Sequence, residues 1–351
     1  MTGVAERSIT QRTYDTVAGL SAGDAVTWSS WWHRMAKLGP RRAVRLGEAR
    51  DHAREAVTTT IPTPYLHASS PELVDPAGPT DDTEWFVVGV RHLLGQRLDG
   101  TPTGEQHGVW AELAALRAEG AAAVRARIGT SIALDNLQRG AYPPVSGHDN
   151  PHYFDDIACV RAVAAGLLRP GDASAAAGLA ATDAAVTHAL DGVWGARATA
   201  TLVALLAAGG DRQAAVDAAL RELPAESWIA HVVSECLSVV EPAATPVDLG
   251  ARLEREAVDH VYSYANQAPE SLGLVLAHLS VADSFDAMLL GALCHPRHAD
   301  GLVPLAGAVA GAAFGGQRRD LPTLKGVCVR DLDGVSLDSV VHEIIGGQET
   351  V

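Results

Sequence analysis

Apolar residues recur at steps of three and four through much of this chain, and this spacing limits the possible folds more than any other feature of the sequence. Side chains at such steps share one face of an α-helix, whereas the alternating runs of β-branched residues that a half-buried strand needs are rare. Helices are predicted at 12–25, 83–98, 108–127, 154–168, 173–209 with a break near Asp191 and Gly192, and 213–220. The sequence therefore predicts an all-α fold.

The chain is long enough for one large domain or two ordinary ones, at 351 residues with 47% hydrophobic composition. It has no repeat period, no low-complexity tract and no charge run that would mark a linker. We therefore predict a single compact domain over 1–351, with about 1–10 and 346–351 loosely ordered. The turn-rich stretches 61–79 and 140–150 are equally suited to lining a pocket and to running over the surface.

The formal net charge of −15 excludes nucleic acid as a bulk partner, because phosphate binding needs a concentrated basic face. The four cysteines form no CxxC spacing, which is typical of reduced thiols in a cytoplasmic protein. Residues 1–12 lack the apolar core of a secretory signal, and the runs 199–210 and 301–316 are too short and glycine-rich to span a membrane. We predict a cytoplasmic protein without a nucleic-acid or membrane partner.

The tetrad Thr80-Asp81-Asp82-Thr83 opens a predicted helix and has two interpretations. In one, Thr80 caps the helix and the aspartates complement the helix dipole. In the other, a hydroxyl and two adjacent carboxylates form half of a hard-oxygen site for Mg²⁺ or Mn²⁺. The tetrad alone leaves both open.

A second group of polar residues precedes another predicted helix, at His298 and Asp300. Pro304 is expected in the first turn of that helix, where a missing N–H has no consequence. The two acidic groups would then lie at the N-termini of two buried helices, where a cation would relieve their repulsion. Cys294, His295 and His298 offer a zinc alternative, weakened by the absence of a second cysteine pair.

Four motifs in a fixed order make the chain resemble the ADP-ribosylglycohydrolase family over most of its length, from about Tyr14 onward. The motifs are 18–25, similar to "GxxxGDALG"; 80–83, similar to "TDDT"; 183–196, similar to "DAxxTH…DGxYGA"; and 298–312, similar to "DxDT…AGAxxGA". The resemblance implies a single compact, orthogonal multi-helix domain. It also favours the metal interpretation of the tetrad.

The resemblance further implies two divalent cations, Mg²⁺ or Mn²⁺, and catalytic roles for Asp81, Asp82 and Asp300. Thr80, Asp81, Asp82 and Asp300 match the family's ligands, and His298 replaces an aspartate ligand while Gly301 replaces a threonine. An imidazole would shift the preference toward Mn²⁺, Fe²⁺ or Zn²⁺. One ion, two ions or none are therefore all compatible with the altered set.

The resemblance also implies a substrate pocket. Its predicted members are Asp24, Trp28, His33, Ser146, Gly147, His148, Asn150, His188 and Tyr264. Most have a plainer interpretation: tryptophans near Trp28 as core or lid packing, 140–154 as a surface loop shaped by its prolines, His188 as a satisfied core residue, and Tyr264 as helix-end packing.

Three functions follow as hypotheses. The first is metal-assisted hydrolysis of a ribosyl glycosidic bond, in an ADP-ribosylated protein or in a small N-ribosyl metabolite derived from NAD or a nucleoside. The second is a non-catalytic protein that binds ribose or ADP-ribose, or acts as a scaffold, after loss of the full metal site. The third is an unrelated enzyme with Cys294 as nucleophile and His295 as base.

Overall fold

The fold is all-α, as the sequence predicts. The computed structural model describes residues 7–36, 78–105, 107–120, 123–242, 244–259, 265–295, 297–316 and 320–350, without the side chains of 28–36 and 349–350. Within these ranges there are α-helices, one 3₁₀ turn and isolated β-bridges but no β-strand. The helices are α1 Ile9–Ala36, α2 Asp81–Leu93, α3 Gly108–Glu119, α4 Ile128–Gln138, α5 Val145–His148, α6 Ile157–Leu168, α7 Ala173–Ala184, α8 Leu190–Ala207, α9 Arg212–Leu220, α10 Trp228–Ser238, α11 Pro246–Glu256, α12 Ala268–Val281, α13 Phe285–Leu293, α14 Ala299–Phe314 and α15 Leu337–Thr350.

Some predicted helix boundaries are wrong, each for a local reason. The helix predicted over 108–127 ends at Glu119, because Gly120 adopts φ 147, outside the helical region. The helix predicted over 83–98 ends at Leu93. The break in 173–209 falls between Ala184 and Leu190 rather than at Asp191 and Gly192, which lie in the first turn of α8.

α1 and α14 pack against each other at unusually short range. Gly19 and Gly307 face each other so closely that a Cβ on either would overlap the other's carbonyl oxygen, and a Cβ on Gly23 would lie 2.5 Å from Val303 O. Small residues allow this approach, since any larger side chain would force the helices apart. The contact brings the C-terminal half of α1 beside the first turns of α14.

α6 is the central helix, and every one of its residues is buried. α2, α7 and α8 pack around it, and alanines fill much of the space between α6, α7 and α8. The aliphatic core therefore surrounds a helix that begins just after Asp155 and Asp156. Burial on all sides fixes the position of that N-terminus.

Polar contacts hold both described ends of the chain. The Arg7 guanidinium donates to the Ala313 carbonyl at 2.9 Å, and α15 continues to Thr350 with Gln348 donating to Leu167 O at 2.8 Å. Among the described helices, none has the length and apolar character that crossing a membrane requires.

Candidate metal and ribosyl site

The Asp24 carboxylate caps α2 from a different helix. Its Oδ2 accepts the backbone N–H groups of Thr80 at 2.7 Å and Thr83 at 2.9 Å, and the two threonine hydroxyls donate to the same carboxylate at 2.6 Å. The sequence-based interpretation of Thr80 as the side-chain cap is therefore wrong: Thr80 is the N-cap residue, but its hydroxyl makes no cap hydrogen bond. The Asp24 oxygens, predicted to face substrate, are engaged by these four donors.

Asp81 and Asp82 occupy the first turn of α2, with their carboxylates close to that of Asp24. One oxygen of each of the three lies within 4.8 Å of the others, and among the described residues this is the one group of His, Cys, Asp or Glu ligand atoms with that proximity. Asp82 is fully buried, and its Oδ2 has no hydrogen-bond partner. A buried carboxylate oxygen without a donor is costly unless a cation or a proton accompanies it.

A single arginine links both acidic groups. Arg127 donates from Nη2 to Asp82 Oδ1 at 2.9 Å, and the same nitrogen lies 3.5 Å from Asp300 Oδ2. Its Nη1 donates to Asp156 Oδ1 at 2.5 Å. Asp81 at 3.5 Å and Asp155 at 3.6 Å complete a set of five carboxylates around one guanidinium. The group therefore keeps a net negative charge.

This excess of charge changes the protonation of the group. Burial, followed by repulsion from Asp300, raises the pKa of Asp81 to about 7. Burial also raises the pKa of Asp82 well above its ordinary value and that of Asp155 to about 6. Burial alone would lower the pKa of Arg127, but the surrounding carboxylates raise it well above its ordinary value. An additional cation would be attracted strongly to this place.

Backbone contacts fix the position of Arg127. The Glu84 carboxylate, on the same helix as Asp82, accepts the backbone N–H groups of residues 327–329 at 2.6 to 2.8 Å. That segment pairs in turn with residues 123–125, through Arg125 N to Cys328 O and Arg330 N to Ala123 O. On the other side, Asn150 Nδ2 donates to Gly129 O at 2.9 Å. The chain is therefore held immediately before and after Arg127.

The second acidic group differs from its predicted geometry. Asp300 lies in the first turn of α14 and is buried, as expected, but Pro304 lies in the helix interior rather than in the first turn. His298 is fully buried, and its Nε2 pairs with Glu270 Oε2 at 2.7 Å while Nδ1 has no partner. A Cβ on Gly301 would overlap Asp156 Oδ2. The space beside residue 301 is therefore filled by a carboxylate.

The predicted substrate loop is tied to the turn before α8. Ser146 Oγ donates to Val186 O at 2.7 Å, and Asn150 Nδ2 also donates to Thr187 O at 2.8 Å. A Cβ on Gly147 would overlap His188 O, so this position needs glycine for close packing. His148 is exposed. These contacts give Ser146, Gly147 and Asn150 a part in holding the loop against this turn.

His188 is buried beside a second ionic network. The Thr187 hydroxyl accepts from Arg161 Nη2 at 2.7 Å and lies 2.6 Å from His188 Nδ1. The His188 Nε2 has no hydrogen-bond partner. Burial lowers the pKa of His188 well below its ordinary value, which keeps the ring neutral. His188 therefore retains one ring nitrogen that no described residue engages.

Some predicted residues lie outside what the structure describes, namely the side chains of Trp28 and His33 and the whole of Tyr264. The predicted nucleophile and base, Cys294 and His295, do not form a pair. His295 Nδ1 contacts Glu254 at 2.8 Å and Nε2 contacts His278 at 2.8 Å, while the Cys294 thiol donates to Leu290 O. Both ring nitrogens are engaged, so the cysteine-nucleophile hypothesis has no base.

The comparisons with known proteins agree with this architecture. A family model described as ADP-ribosylglycohydrolase matches residues 5–344. The chain belongs to the ADP-ribosylglycohydrolase family. A solved structure titled "ADP-ribosylglycohydrolase-related protein complex" shares the fold, with a TM-score of 0.56 at 18% identity over 97% of this chain and 98% of the other. No curated protein matches the chain.

The ADP-ribosylglycohydrolase resemblance implies a metal centre, and the described residues fit half of it. The carboxylates of Asp24, Asp81 and Asp82 lie close together, the Thr80 hydroxyl lies 3.4 Å from Asp81 Oδ1, and Asp82 Oδ2 has no hydrogen-bond partner. The other half fits poorly, because His298 pairs with Glu270 and Asp156 fills the space at Gly301. The residues present therefore fit one hard divalent cation better than two.

Sequence reasoning missed the residue at the centre of this ADP-ribosylglycohydrolase site. The sequence places Arg127 only at the end of a predicted helix, and no local pattern distinguishes Asp155, Asp156 or Glu270. The signal available in the sequence is the balance of charge. A buried site with so many carboxylates needs a positive charge to compensate them, and Arg127 is the largely buried cation that contacts them.

Proposed function

We propose that this protein hydrolyses a ribosyl glycosidic bond with the help of one divalent cation, Mg²⁺ or Mn²⁺. The observation that carries the proposal is the buried Asp82 carboxylate, whose Oδ2 has no partner and which lies close to the carboxylates of Asp24 and Asp81. Thr80, Asp81 and Asp82 would hold the cation, and Asp300 lies 3.5 Å from Arg127 Nη2 in the same site. When bound, such an ion polarises water and orients the sugar.

The exposed fractions of the aspartate side chains suggest that the aspartates have different roles. The Asp82 side chain is 0% exposed, so it can hold a cation but cannot touch substrate. Asp81 is 19% and Asp300 10% exposed, and these two are the carboxylates that can meet a ribose ring. Asp81 takes a proton from the attacking water, whose oxygen bonds to the anomeric carbon as the glycosidic bond breaks, and the same proton passes to the departing aglycone. The negative cluster stabilises the positive charge that develops on the ribose during this step.

Other predicted residues take positioning or contact roles in this proposal. The buried His188 Nε2 has no partner among the described residues and would form a hydrogen bond with a ribose hydroxyl. Asn150 holds Gly129 O, and with it the chain just after Arg127. Ser146 and Gly147 seat the loop, and His148 lies exposed at its surface.

The experiment compares substrates and variants side by side. Purified protein with Mn²⁺ or Mg²⁺ is assayed on ADP-ribosyl-arginine, ADP-ribosyl-serine and free nucleosides. We expect release of ADP-ribose or ribose from one class, abolished in Asp81→Asn and by a chelator, and unchanged in Asp331→Asn, which alters an exposed aspartate. Absence of release from every substrate by metal-loaded, folded protein would contradict the proposal.

One observation favours a second function, binding without hydrolysis. Arg127 lies between Asp82 and Asp300, where it neutralises part of the charge that a cation would otherwise neutralise. A protein that only binds ribose or ADP-ribose would show a thermal shift with ADP-ribose but no turnover. Such a shift without product, undiminished in Asp81→Asn, would favour this function over hydrolysis.

A further inference from the structure

We propose that the Arg127 guanidinium is a built-in cation that takes the place of a second metal ion, so that the site holds one exchangeable divalent cation. This inference deepens the proposed function, since it concerns the same site. The central observation is that Arg127 contacts carboxylates from α2, from α14 and from the N-terminus of α6 at once. No one of these elements could provide a neutral site by itself.

The surroundings of Arg127 are shaped to keep it there. Asp156 binds Arg127 Nη1 through Oδ1 and accepts the Ser271 hydroxyl through Oδ2 at 2.6 Å. That Oδ2 occupies the volume that any side chain at residue 301 would need. Gly301, Asp156 and Arg127 therefore form one compatible set: glycine makes room for the carboxylate, and the carboxylate holds the guanidinium.

The residue beside this set has a partner of its own. His298 pairs its Nε2 with Glu270, which additionally accepts the Asp259 N–H at 2.8 Å and the Gln267 amide at 3.2 Å. The His298 Nδ1 has no hydrogen-bond partner, but among the described residues it belongs to no group of three or more metal-ligand atoms. Glu270 and His298 are both buried, so this pair is a stable part of the interior. The group that the described residues do form, at Asp24, Asp81 and Asp82, is enough for one ion.

Removing the positive charge of Arg127 should allow an additional divalent cation to bind at the site. Without Arg127, five buried or half-buried carboxylates face one another with no cation, and breaking a buried ion pair from one side is strongly destabilising. Divalent cations would then bind in its place and restore stability. Arg127→Met has a similar volume and no charge, and Arg127→Lys keeps the charge.

The test measures Mn²⁺ per chain by elemental analysis and the melting temperature in chelator and in Mn²⁺. We expect one Mn²⁺ per chain in the wild type and in Arg127→Lys. We expect more than one in Arg127→Met, whose melting temperature in chelator falls by about 10 °C and recovers with Mn²⁺. The control is Arg125→Met, at an exposed arginine of the same segment, which should behave as the wild type.

Two or more ions per wild-type chain, or none, would overturn the inference, as would an Arg127→Met variant that folds, ignores chelator and binds no additional metal. If Arg127→Met does not fold even in Mn²⁺, the stoichiometries of the wild type and Arg127→Lys decide: one ion in each supports the inference, and any other result overturns it. Failure of the proposed function is separable, because one bound Mn²⁺ without turnover contradicts hydrolysis and leaves the role of Arg127 standing.

Discussion

Asp24 on α1 accepts the backbone N–H of Thr83 on α2, so a helix is capped by a carboxylate from another helix rather than by its own N-cap side chain. The same carboxylate fixes the Thr80 hydroxyl at 2.6 Å. α1 and the acidic first turn of α2 are therefore one unit. Any change in how α1 packs will reach Asp81 and Asp82 directly.

Asp24→Asn should be much more harmful than loss of an ordinary cap. In the wild type four donors bind the two Asp24 oxygens, whereas the amide of the variant keeps only one acceptor oxygen. Buried N–H and O–H groups would therefore lose partners, which costs about 1–3 kcal/mol of stability. The free energy of unfolding, measured by urea titration, should fall by that amount or more. Asp172→Asn, at an exposed local cap, should lose about 1 kcal/mol or less. Equal losses in the two variants would contradict the special role of Asp24.

Gly301→Ala should destabilise the protein, because its Cβ overlaps the Asp156 carboxylate that holds Arg127. Overpacking of this kind typically costs about 1–3 kcal/mol. The matched control is Gly178→Ala on α7, where a Cβ meets nothing within 4 Å and helix propensity makes the change neutral or favourable. Thermal unfolding of the two variants gives the comparison. A Gly301→Ala protein as stable as Gly178→Ala would show that the contact with Asp156 is loose.

Asp183→Asn should break a fully buried ion pair. Arg161 donates to Asp183 at 2.7 Å with side chains 0% and 2% exposed, and His92 contacts the other Asp183 oxygen at 2.8 Å. Loss of one partner leaves a buried guanidinium uncompensated, at about 3–5 kcal/mol. Glu119→Gln, in the exposed pair with Arg330, should change stability by less than about 1 kcal/mol. Urea unfolding distinguishes them, and a small effect of Asp183→Asn would mean that water reaches Arg161.

The contribution of His278 to stability should fall as the pH drops below about 6.5. Burial, followed by the neighbouring His295, lowers the His278 pKa to about 3, so the unfolded chain takes up a proton that the folded protein excludes. This contribution is therefore complete above pH 6.5 and declines by about 1.4 kcal/mol per pH unit toward pH 3. The facing groups are His295 and, behind it, Glu254. Asp81 and Asp155 act in the opposite direction, because their raised pKa values let the folded protein take up protons first as the pH falls.

His278→Asn tests this dependence. Its unfolding free energy minus that of the wild type should rise by about 1.4 kcal/mol per pH unit as the pH falls from 6.5 to 4.5, while the exposed His148→Asn should follow the wild-type curve. Parallel curves for all three proteins would show that His278 is protonated without penalty.

The sequence was sufficient for the fold class and for the meeting of the two acidic groups. Periodicity reports which face of a helix is buried, and the order of motifs placed Asp82 and Asp300 at two helix starts. The position of Arg127 could not be predicted from the sequence, because it depends on the pairing of 123–125 with 327–329 and on Glu84. Those are contacts between distant segments with no local pattern.

The predictions of the α3 boundary and of the α2 cap were wrong for a related reason. Gly120 ends α3 because its φ angle lies outside the helical region. A glycine in the middle of an apolar pattern does not by itself indicate such an angle. Thr80 has the local properties of a capping residue, but the Asp24 carboxylate, which is distant in the sequence, accepts the backbone N–H groups at the start of α2. Local rules describe what a segment prefers, and a neighbour that satisfies the same backbone groups can replace the local solution.

The glycine contact between α1 and α14 has a consequence for the synthesis of this protein. Gly19 cannot contact Gly307 until the long stretch of chain between them has been synthesised, so α1 is made well before its main packing partner. During that interval α14 does not cover the small residues of α1 that face it in the folded protein. Translation that stops before residue 299 would yield a chain in which α1 lacks this partner.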